Sequence, residues 1–174
     1  MKLARTLMLG TAMALLSTAS VQAADLLAGP ADPIYSSPLF DFEGFYVGAT
    51  GGLATTGSLY GTLGVVVGSN FAVSDGIIVG GEFQGDLYFN GGGVSAADAL
   101  ALGRVGGFIS DNTMIYGELG LGLVGSSSVW VVGGGAEMAL TDQLAVRGEL
   151  QGLGGFGGGI GVAKATGGLI WHLN

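Results

Sequence analysis

The sequence predicts an all-β fold, an eight-stranded antiparallel up-and-down transmembrane β-barrel. Three observations lead to this prediction. Apolar residues recur at every second position in eight runs, and turn-like clusters separate the runs. The composition has 37 glycines in 174 residues and only 10% charged residues, against about 7% glycine and about 25% charged residues in ordinary soluble domains. Such a composition is typical of a protein whose outer surface need not be polar.

Residues 1–23 are predicted to be a secretory signal peptide. Lys2 and Arg5 precede the short apolar run 7–16, and small residues before Ala24 fit a cleavage site there. An uncleaved membrane helix is the alternative, which the shortness of the apolar run disfavours. We therefore expect export of the mature chain.

Residues 24–43 are predicted to form an extended periplasmic leader, because all three prolines lie within it, and residues 44–174 form the barrel domain. After cleavage, 13 acidic residues face only three basic ones, Arg104, Arg147 and Lys164, which gives a net charge of −10. Three cations cannot form the basic patch that nucleic-acid binding requires. The absence of cysteine excludes disulfides and thiolate metal sites.

Each predicted strand has an apolar face and a more polar face. In the first run, Phe45, Val47 and Leu53 share one face, whereas Tyr46 and Thr50 share the other. The predicted strands are 45–53, 59–68, 77–89, 99–109, 114–124, 130–140, 144–152 and 164–173. The predicted turns are 55–58, 69–76, 90–97, 110–112, 125–128, 141–143 and 153–159. Seven turns joining eight strands give the smallest usual size of a bacterial outer-membrane barrel.

A membrane helix is the alternative for residues 119–136, which are 18 residues without a charge. The segment contains six glycines, and each costs about 1 kcal/mol in a helix relative to alanine. A serine-rich turn between two strands explains it better.

The charged residues inside the runs all fall on the polar faces. An arginine or lysine that faces lipid at the midplane costs about 2–4 kcal/mol, so these side chains should face the lumen. We predict a structural network that fills the lumen, because a narrow eight-stranded interior is filled by side chains and buried charges need partners. A charged filter in a conducting pore is the alternative. The predicted network comprises Glu82, Asp86, Arg104, Glu118, Glu137, Arg147, Glu149 and Lys164.

The spacing of these charges from the turns predicts ion pairs. Glu137 and Arg147 are each five residues from Asp142, so they should lie opposite each other across a hairpin. Arg104 and Glu118 are each seven residues from Asp111 and should pair in the same way. Cross-strand neighbours are close enough for ion pairs. Lys164 is expected to share Glu149.

If the leader lies in the periplasm, the turns at 55–58, 90–97, 125–128 and 153–159 face outward. These outer loops are short. Trp130 then lies near the outer rim and Trp171 near the periplasmic rim, as expected for interfacial aromatic girdles.

Several of these segments resemble a family of small outer-membrane β-barrel proteins. The segment 41–48, DFEGFYVG, resembles the aromatic-rich opening of the porin-family and outer-membrane immunogenic proteins of alphaproteobacteria. Residues 132–149, VGGGAEMALTDQLAVRGE, resemble the most recognisable hairpin of that family. The resemblance implies an outer-membrane barrel that contacts lipid and is inserted by the barrel-assembly machinery. Family members usually end in an aromatic residue, whereas this sequence ends in Leu173 and Asn174.

Two glycine patterns, at 120–125 and 152–157, fit G-x-G-x-x-G, but neither opens a helix, so nucleotide binding is not predicted. His172 has no other metal ligand near it in the sequence, so no metal site and no cofactor are predicted. A hydrolase would need His172 beside a serine of the 126–128 segment. The topology puts them at opposite rims, so no enzymatic activity is predicted.

The predicted function is a structural, envelope-integrity role in the outer membrane, as a monomer with at most weak passage of small solutes. Two alternatives remain open. The outer loops could form a binding or adhesion module for a host or haem-type ligand. The lumen could be a narrow diffusion channel.

Overall fold

The structure, a computed structural model, describes residues 40–74 and 76–173. The predicted signal peptide and most of the predicted leader lie outside the described residues. Within them, eight antiparallel strands form a closed barrel in chain order, and β1 pairs with β8 to close it. The strands are β1 Gly44–Thr55, β2 Leu59–Ser74, β3 Ile77–Asn90, β4 Gly93–Ser110, β5 Thr113–Val124, β6 Ser127–Ala139, β7 Leu144–Gly155 and β8 Ile160–His172. The predicted fold class is confirmed.

Residues 119–136 form the end of β5, a two-residue turn and most of β6. The helical alternative for this segment is therefore wrong. Among the residues that the structure describes, no helix is long and apolar enough to cross a membrane.

The barrel has two ends. The terminal end holds Gly44 and His172 together with the turns near residues 76, 111–112 and 140–143. The loop end holds the turns at 56–58, 91–92, 125–126 and 156–159. Gly57, Gly125 and Gly157 in the loop-end turns have φ values of 91°, 58° and 95°, which favour glycine because it has no Cβ.

Several strands are longer than predicted. The predicted turn at 69–76 is wrong, because β2 continues to Ser74 with Ser69 opposite Gly81 and Phe71 opposite Val79. Polar side chains there suggest a turn, but Asn70 points inward and donates a hydrogen bond from Nδ2 to the Phe42 carbonyl at 2.9 Å.

The predicted turn at 90–97 is wrong for the same kind of reason. The strand β4 begins at Gly93, and only residues 91–92 form the turn. Glycine and alanine dominate 91–97, so this stretch carries too little apolar alternation to predict a strand. The predicted turn at 153–159 is also too long, since β7 continues to Gly155.

Side chains alternate between the two faces of every strand. Outward residues form a continuous apolar surface, with Leu63, Leu119 and Leu150 exposed by 59%, 71% and 67%. Inward neighbours such as Thr62 and Glu118 are buried. The outer wall of the barrel is therefore apolar and its polar groups lie in the lumen, as the period of two predicts.

The end of the leader packs into the terminal end. Phe40 and Phe42 are only 2% and 1% exposed, and their ring centroids lie 4.6 Å apart. The Phe40 ring lies edge-on to His172 at 4.9 Å. Aromatic pairs prefer this T-shaped arrangement. These rings and the inward face of neighbouring strands form one buried cluster, which includes Phe40, Phe42, Tyr46, Val66, Ile78, Met114, Tyr116, Ala145 and Ile170.

A second buried cluster lies towards the loop end, on the inner wall of β4, β6 and β7. It consists of aliphatic side chains, so the lumen there is apolar on one side. Its members are Leu100, Leu102, Val129, Val131 and Leu153.

Candidate functional site in the barrel lumen

The three basic residues of the described chain, Arg104, Arg147 and Lys164, all point into the lumen. Their side chains are 2%, 1% and 0% exposed. The carboxylates that contact them are equally buried. Buried charges are tolerated where ion pairs and hydrogen bonds compensate their lost hydration, so the contacts within the lumen decide what this site does.

An arginine network, made of Arg104, Arg147, Glu82 and Glu137, lies towards the terminal end. Nη1 of Arg147 is 2.7 Å from Oε2 of Glu82, and its Nη2 is 3.0 Å from Oε2 of Glu137. Nη1 of Arg104 is 3.0 Å from the same Glu82 oxygen, and its Nη2 is 3.5 Å from Oε2 of Glu137. Each carboxylate is thus shared by both guanidinium groups.

Two tyrosines support this network. The Tyr46 hydroxyl donates to Oε2 of Glu82 at 2.6 Å and accepts from Nη1 of Arg104. The Arg104 guanidinium lies over the Tyr116 ring at 3.8 Å from its centroid, a distance typical of a cation–π contact. These rings hold the guanidinium groups in place.

A lysine network, made of Lys164, Asp86 and Asp98, lies towards the loop end. Nζ of Lys164 is 2.7 Å from Oδ2 of Asp86 and 3.2 Å from Oδ2 of Asp98. The Tyr88 hydroxyl donates to Oδ2 of Asp98 at 2.6 Å. One cation therefore holds two buried carboxylates together.

Gln84 connects the two networks. Its Nε2 donates to Oε1 of Glu149 at 2.9 Å, and its Oε1 accepts from Gln151 at 2.9 Å and from Lys164 at 3.4 Å. Gln84 thus links Lys164 to Glu149 by hydrogen bonds, and Glu149 in turn approaches Nη1 of Arg147 at 3.9 Å.

The register places Glu137 opposite Arg147, as the turn spacing predicts, and the two side chains are in contact. It also places Arg104 opposite Glu118. The expected ion pair between these two is not the contact that forms, because the long Arg104 side chain reaches across the lumen to Glu82 and Glu137. Glu118 instead accepts from Nε2 of Gln151 at 2.7 Å.

The expected sharing of Lys164 with Glu149 is wrong. Lys164 lies opposite Gln151 in the β7–β8 register and reaches Asp86 and Asp98 on the far wall. Glu149 accepts hydrogen bonds from Gln84 and from the Tyr116 hydroxyl, the latter at 2.6 Å. Its closest cation is Arg147, at 3.9 Å.

The predicted network leaves out Asp98 and His172, which both lie in the lumen. Asp98 was placed between a predicted turn and a predicted strand, yet it is an inward residue of β4. Asp98 lies two residues before Leu100 and six before Arg104, so strand alternation places its side chain on the same inward face, and this spacing is the signal that identifies it. His172 is fully buried, and its Nε2 lies 2.8 Å from Oε1 of Glu137.

Comparison with known proteins shows which fold this is. No family model and no curated protein matches the chain. Several solved structures do match the chain. The N-terminal β-barrel domain of Pseudomonas aeruginosa OprF is 14% identical, with a TM-score of 0.54 over 73% of this chain and 95% of that one. The chain has the fold of a small outer-membrane β-barrel.

Two further structures agree with this barrel. Neisserial surface protein A is 12% identical, with a TM-score of 0.52 over 74% of this chain and 97% of that one. A de novo designed transmembrane β-barrel is 18% identical, with a TM-score of 0.51 over 73% and 92%. At such identities the likeness concerns the fold alone. The resemblance of the 132–149 hairpin to an alphaproteobacterial family stays a prediction.

Glycines on the inner wall of the barrel make room for the network's aromatic rings. A Cβ built on Gly68 would meet the Tyr46 ring and hydroxyl, and one built on Gly135 would meet the Gly148 carbonyl oxygen and the hydroxyl and ring of Tyr116. The volume that these two glycines leave is therefore taken up in part by a neighbouring tyrosine. This close approach lets the narrow lumen hold two tyrosines beside two arginines.

We expect Gly135→Ala to lower the free energy of unfolding of the barrel by about 1–3 kcal/mol, because the added methyl group would crowd the Gly148 carbonyl oxygen and the Tyr116 hydroxyl. Gly148→Ala is the matched control, since a Cβ at Gly148 meets nothing within 4 Å. Equilibrium urea unfolding in lipid vesicles measures both. Equal stability of the two variants would contradict the close packing around Gly135.

The serines of the 126–128 segment and His172 lie at opposite ends of the barrel, because Ser127 begins β6 at the loop end and His172 ends β8 at the terminal end. A nucleophile and its base must lie within hydrogen-bond reach. These residues therefore do not form a hydrolase site.

Proposed function

We propose that the protein is an outer-membrane barrel with a structural role in the cell envelope, whose lumen the charged side-chain network plugs. The observation that carries this proposal is the placement of all three cations of the described chain inside the barrel, in direct contact with buried carboxylates. The residues proposed as the plug are Glu82, Asp86, Arg104, Glu118, Glu137, Arg147, Glu149 and Lys164, joined by Asp98.

Three layers of side chains support a plug rather than a pore. Phe40 and Phe42 pack with His172 at the terminal end. The arginine network follows above them. Towards the loop end, the lysine network and the aliphatic cluster both occupy the lumen. A small barrel filled in this way passes small solutes weakly at most.

Export by the signal peptide, insertion by the barrel-assembly machinery and a monomeric state complete the proposal. The apolar outer surface supports lipid contact around the whole barrel. The proposed function includes no enzymatic step.

Single-channel recording in planar bilayers tests the plug. We expect the purified protein to insert without discrete conductance steps. Reproducible steps from the unmodified protein would instead favour the narrow diffusion channel. An adhesion role is less well supported, because the loop-end turns are two to four residues long and contain no charged residue.

The membrane orientation of the outer wall can be tested by placing a charge on it. We expect Leu119→Arg to lower the free energy of unfolding in vesicles by about 2–4 kcal/mol, because Leu119 is exposed outward at the middle of β5 and would face the midplane. Leu59→Arg is the control, since Leu59 is equally outward but begins β2 at the loop end. Near the interface the same change costs about 0–1 kcal/mol. Equal costs at the two positions would contradict the proposed membrane span.

A further inference from the structure

Three carboxylates of the lumen, Glu82, Glu118 and Glu149, converge in a carboxylate cluster. One oxygen from each lies within 4.8 Å of the others, and all three residues are buried. The three residues come from β3, β5 and β7, so no local sequence pattern predicts the cluster. Like charges this close are unfavourable unless something positive lies among them.

The guanidinium groups satisfy only part of this cluster. They and the Tyr46 hydroxyl contact Oε2 of Glu82, whereas Oε1 of Glu82 accepts no hydrogen bond from any group that the structure describes. Oε2 of Glu118 is likewise buried and unpartnered among the described residues. Leaving buried charged acceptors unpaired is costly, so these two oxygens point to a bound positive species.

A neutral amide adds a further oxygen. Gln151 donates from Nε2 to Glu118, while its own Oε1 is buried and, within the described part of the chain, accepts no hydrogen bond. Glu118 and the Gln151 amide that contacts it thus each have one buried, unpartnered oxygen. Hard cations such as Ca²⁺ prefer carboxylate and amide oxygens.

Charge balance indicates a bound cation. Arg104 and Arg147 carry two positive charges against the four carboxylates of Glu82, Glu118, Glu137 and Glu149. His172, whose Nε2 lies 2.8 Å from Oε1 of Glu137, adds a third positive charge only when it is protonated. Water screens the negative surplus poorly, because the side chains of the ion pairs are at most 2% exposed and Glu118 is 4% exposed. Lys164 does not relieve it, because its contacts are with Asp86 and Asp98.

We propose that the carboxylate cluster Glu82, Glu118 and Glu149 binds a Ca²⁺ ion inside the barrel. Three oxygens within 4.8 Å of one another can all lie within about 2.8 Å of one centre, so a small inward shift brings them to the Ca²⁺–oxygen distance of about 2.3–2.6 Å. Mg²⁺ requires about 2.0–2.1 Å and near-ideal octahedral geometry and keeps its waters, so it fits this site less well. The ion is a structural component that completes the lumen network.

Terbium luminescence tests this proposal, because Tb³⁺ replaces Ca²⁺ at oxygen sites and emits when a nearby phenol is excited. The Tyr46 and Tyr116 hydroxyls contact Glu82 and Glu149 directly. The full chain is refolded in detergent with Tb³⁺ present, since the site is buried. We expect saturable emission that excess Ca²⁺ abolishes.

Glu118→Gln is the decisive variant, and we expect it to weaken Tb³⁺ binding by about tenfold or more, since affinity depends on the number of charged ligands. Glu43→Gln, at an exposed position outside the lumen, is the matched control and should bind as the unmodified protein does. Glu149→Gln gives the same test if the first variant does not fold. Equal emission from the lumen variant and the control would overturn the proposal.

Thermal unfolding provides a second readout that separates a metal ion from a proton. A bound ion raises the melting temperature with rising Ca²⁺ concentration, and this dependence should disappear in Glu118→Gln. If protons neutralise the cluster instead, Ca²⁺ has no effect on the unmodified protein, and that result overturns the proposal. Neither outcome depends on whether the lumen conducts.

Discussion

Replacing Arg147 with methionine is expected to lower the free energy of unfolding of the barrel by about 3–5 kcal/mol, because breaking a buried ion pair leaves an uncompensated charge. Arg147 contacts Oε2 of Glu82 at 2.7 Å and Oε2 of Glu137 at 3.0 Å. Methionine fills similar space but donates no hydrogen bond. Equilibrium urea unfolding in vesicles, with intrinsic fluorescence as the signal, measures the loss.

The neighbouring outward residue supplies the control for this prediction. Val146→Met changes the same strand on its lipid side and should cost less than about 1.5 kcal/mol, as apolar exchanges usually do. Adding Glu137→Gln to Arg147→Met should recover part of the loss, because it removes one of the stranded carboxylates. A cost for Arg147→Met no larger than that of the control would mean that the arginine network does not stabilise the barrel.

The sequence predicts the strands and their inward and outward faces better than it predicts the side-chain contacts inside the lumen. A period of two assigns each residue to a face, so Glu82, Arg104 and Lys164 could be placed in the lumen from their neighbours alone. Distances from a tight turn also predict which residues lie opposite each other within one hairpin. Both the Glu137–Arg147 and the Arg104–Glu118 register follow from this rule.

Contacts across the lumen could not be predicted in the same way. Arg147 and Glu82 are 65 residues apart, and Lys164 and Asp86 are 78 apart. Their meeting depends on the stagger of the whole barrel and on side chains long enough to cross it, and neither leaves a local pattern. The hairpin rule therefore gives Arg104 the right neighbour, Glu118, but the wrong ion-pair partner.

The ends of the strands are also poorly predicted by the sequence. Glycine, serine and asparagine at 69–76 and 90–97 have turn propensity. Hydrogen bonding to the neighbouring strands and the burial of every second side chain in the lumen override that propensity. The Asn70 side chain donates a hydrogen bond to the carbonyl of Phe42 in the leader, and the Asp98 carboxylate accepts hydrogen bonds from Lys164 and Tyr88. Polar inward residues near a barrel end resemble loop residues when their partners are distant in sequence.

Replacing Lys164 with methionine tests the other half of the lumen. We expect a loss of about 3–5 kcal/mol in the free energy of unfolding, since Asp86 and Asp98 would share a buried site without a cation. Ala163→Met, the adjacent outward position, is the control. Adding Asp98→Asn should restore part of the stability, because only one carboxylate then remains unpaired. A loss no greater than that of Ala163→Met would contradict the assigned role of Lys164.

Combining the two large changes shows whether the lumen behaves as one network. Lys164 and Arg147 share no ion-pair partner among the described residues, so independent networks should give additive losses within about 0.5 kcal/mol. Gln84 nevertheless touches Lys164 directly and approaches the arginine side through Glu149. If Gln84 couples the two networks, the stability loss of the double variant Arg147→Met/Lys164→Met differs from the sum of the two single losses. Repeating the measurements in a Gln84→Leu background should then give additive losses. Additive losses with Gln84 intact would instead mean that the plug consists of two separate ionic layers.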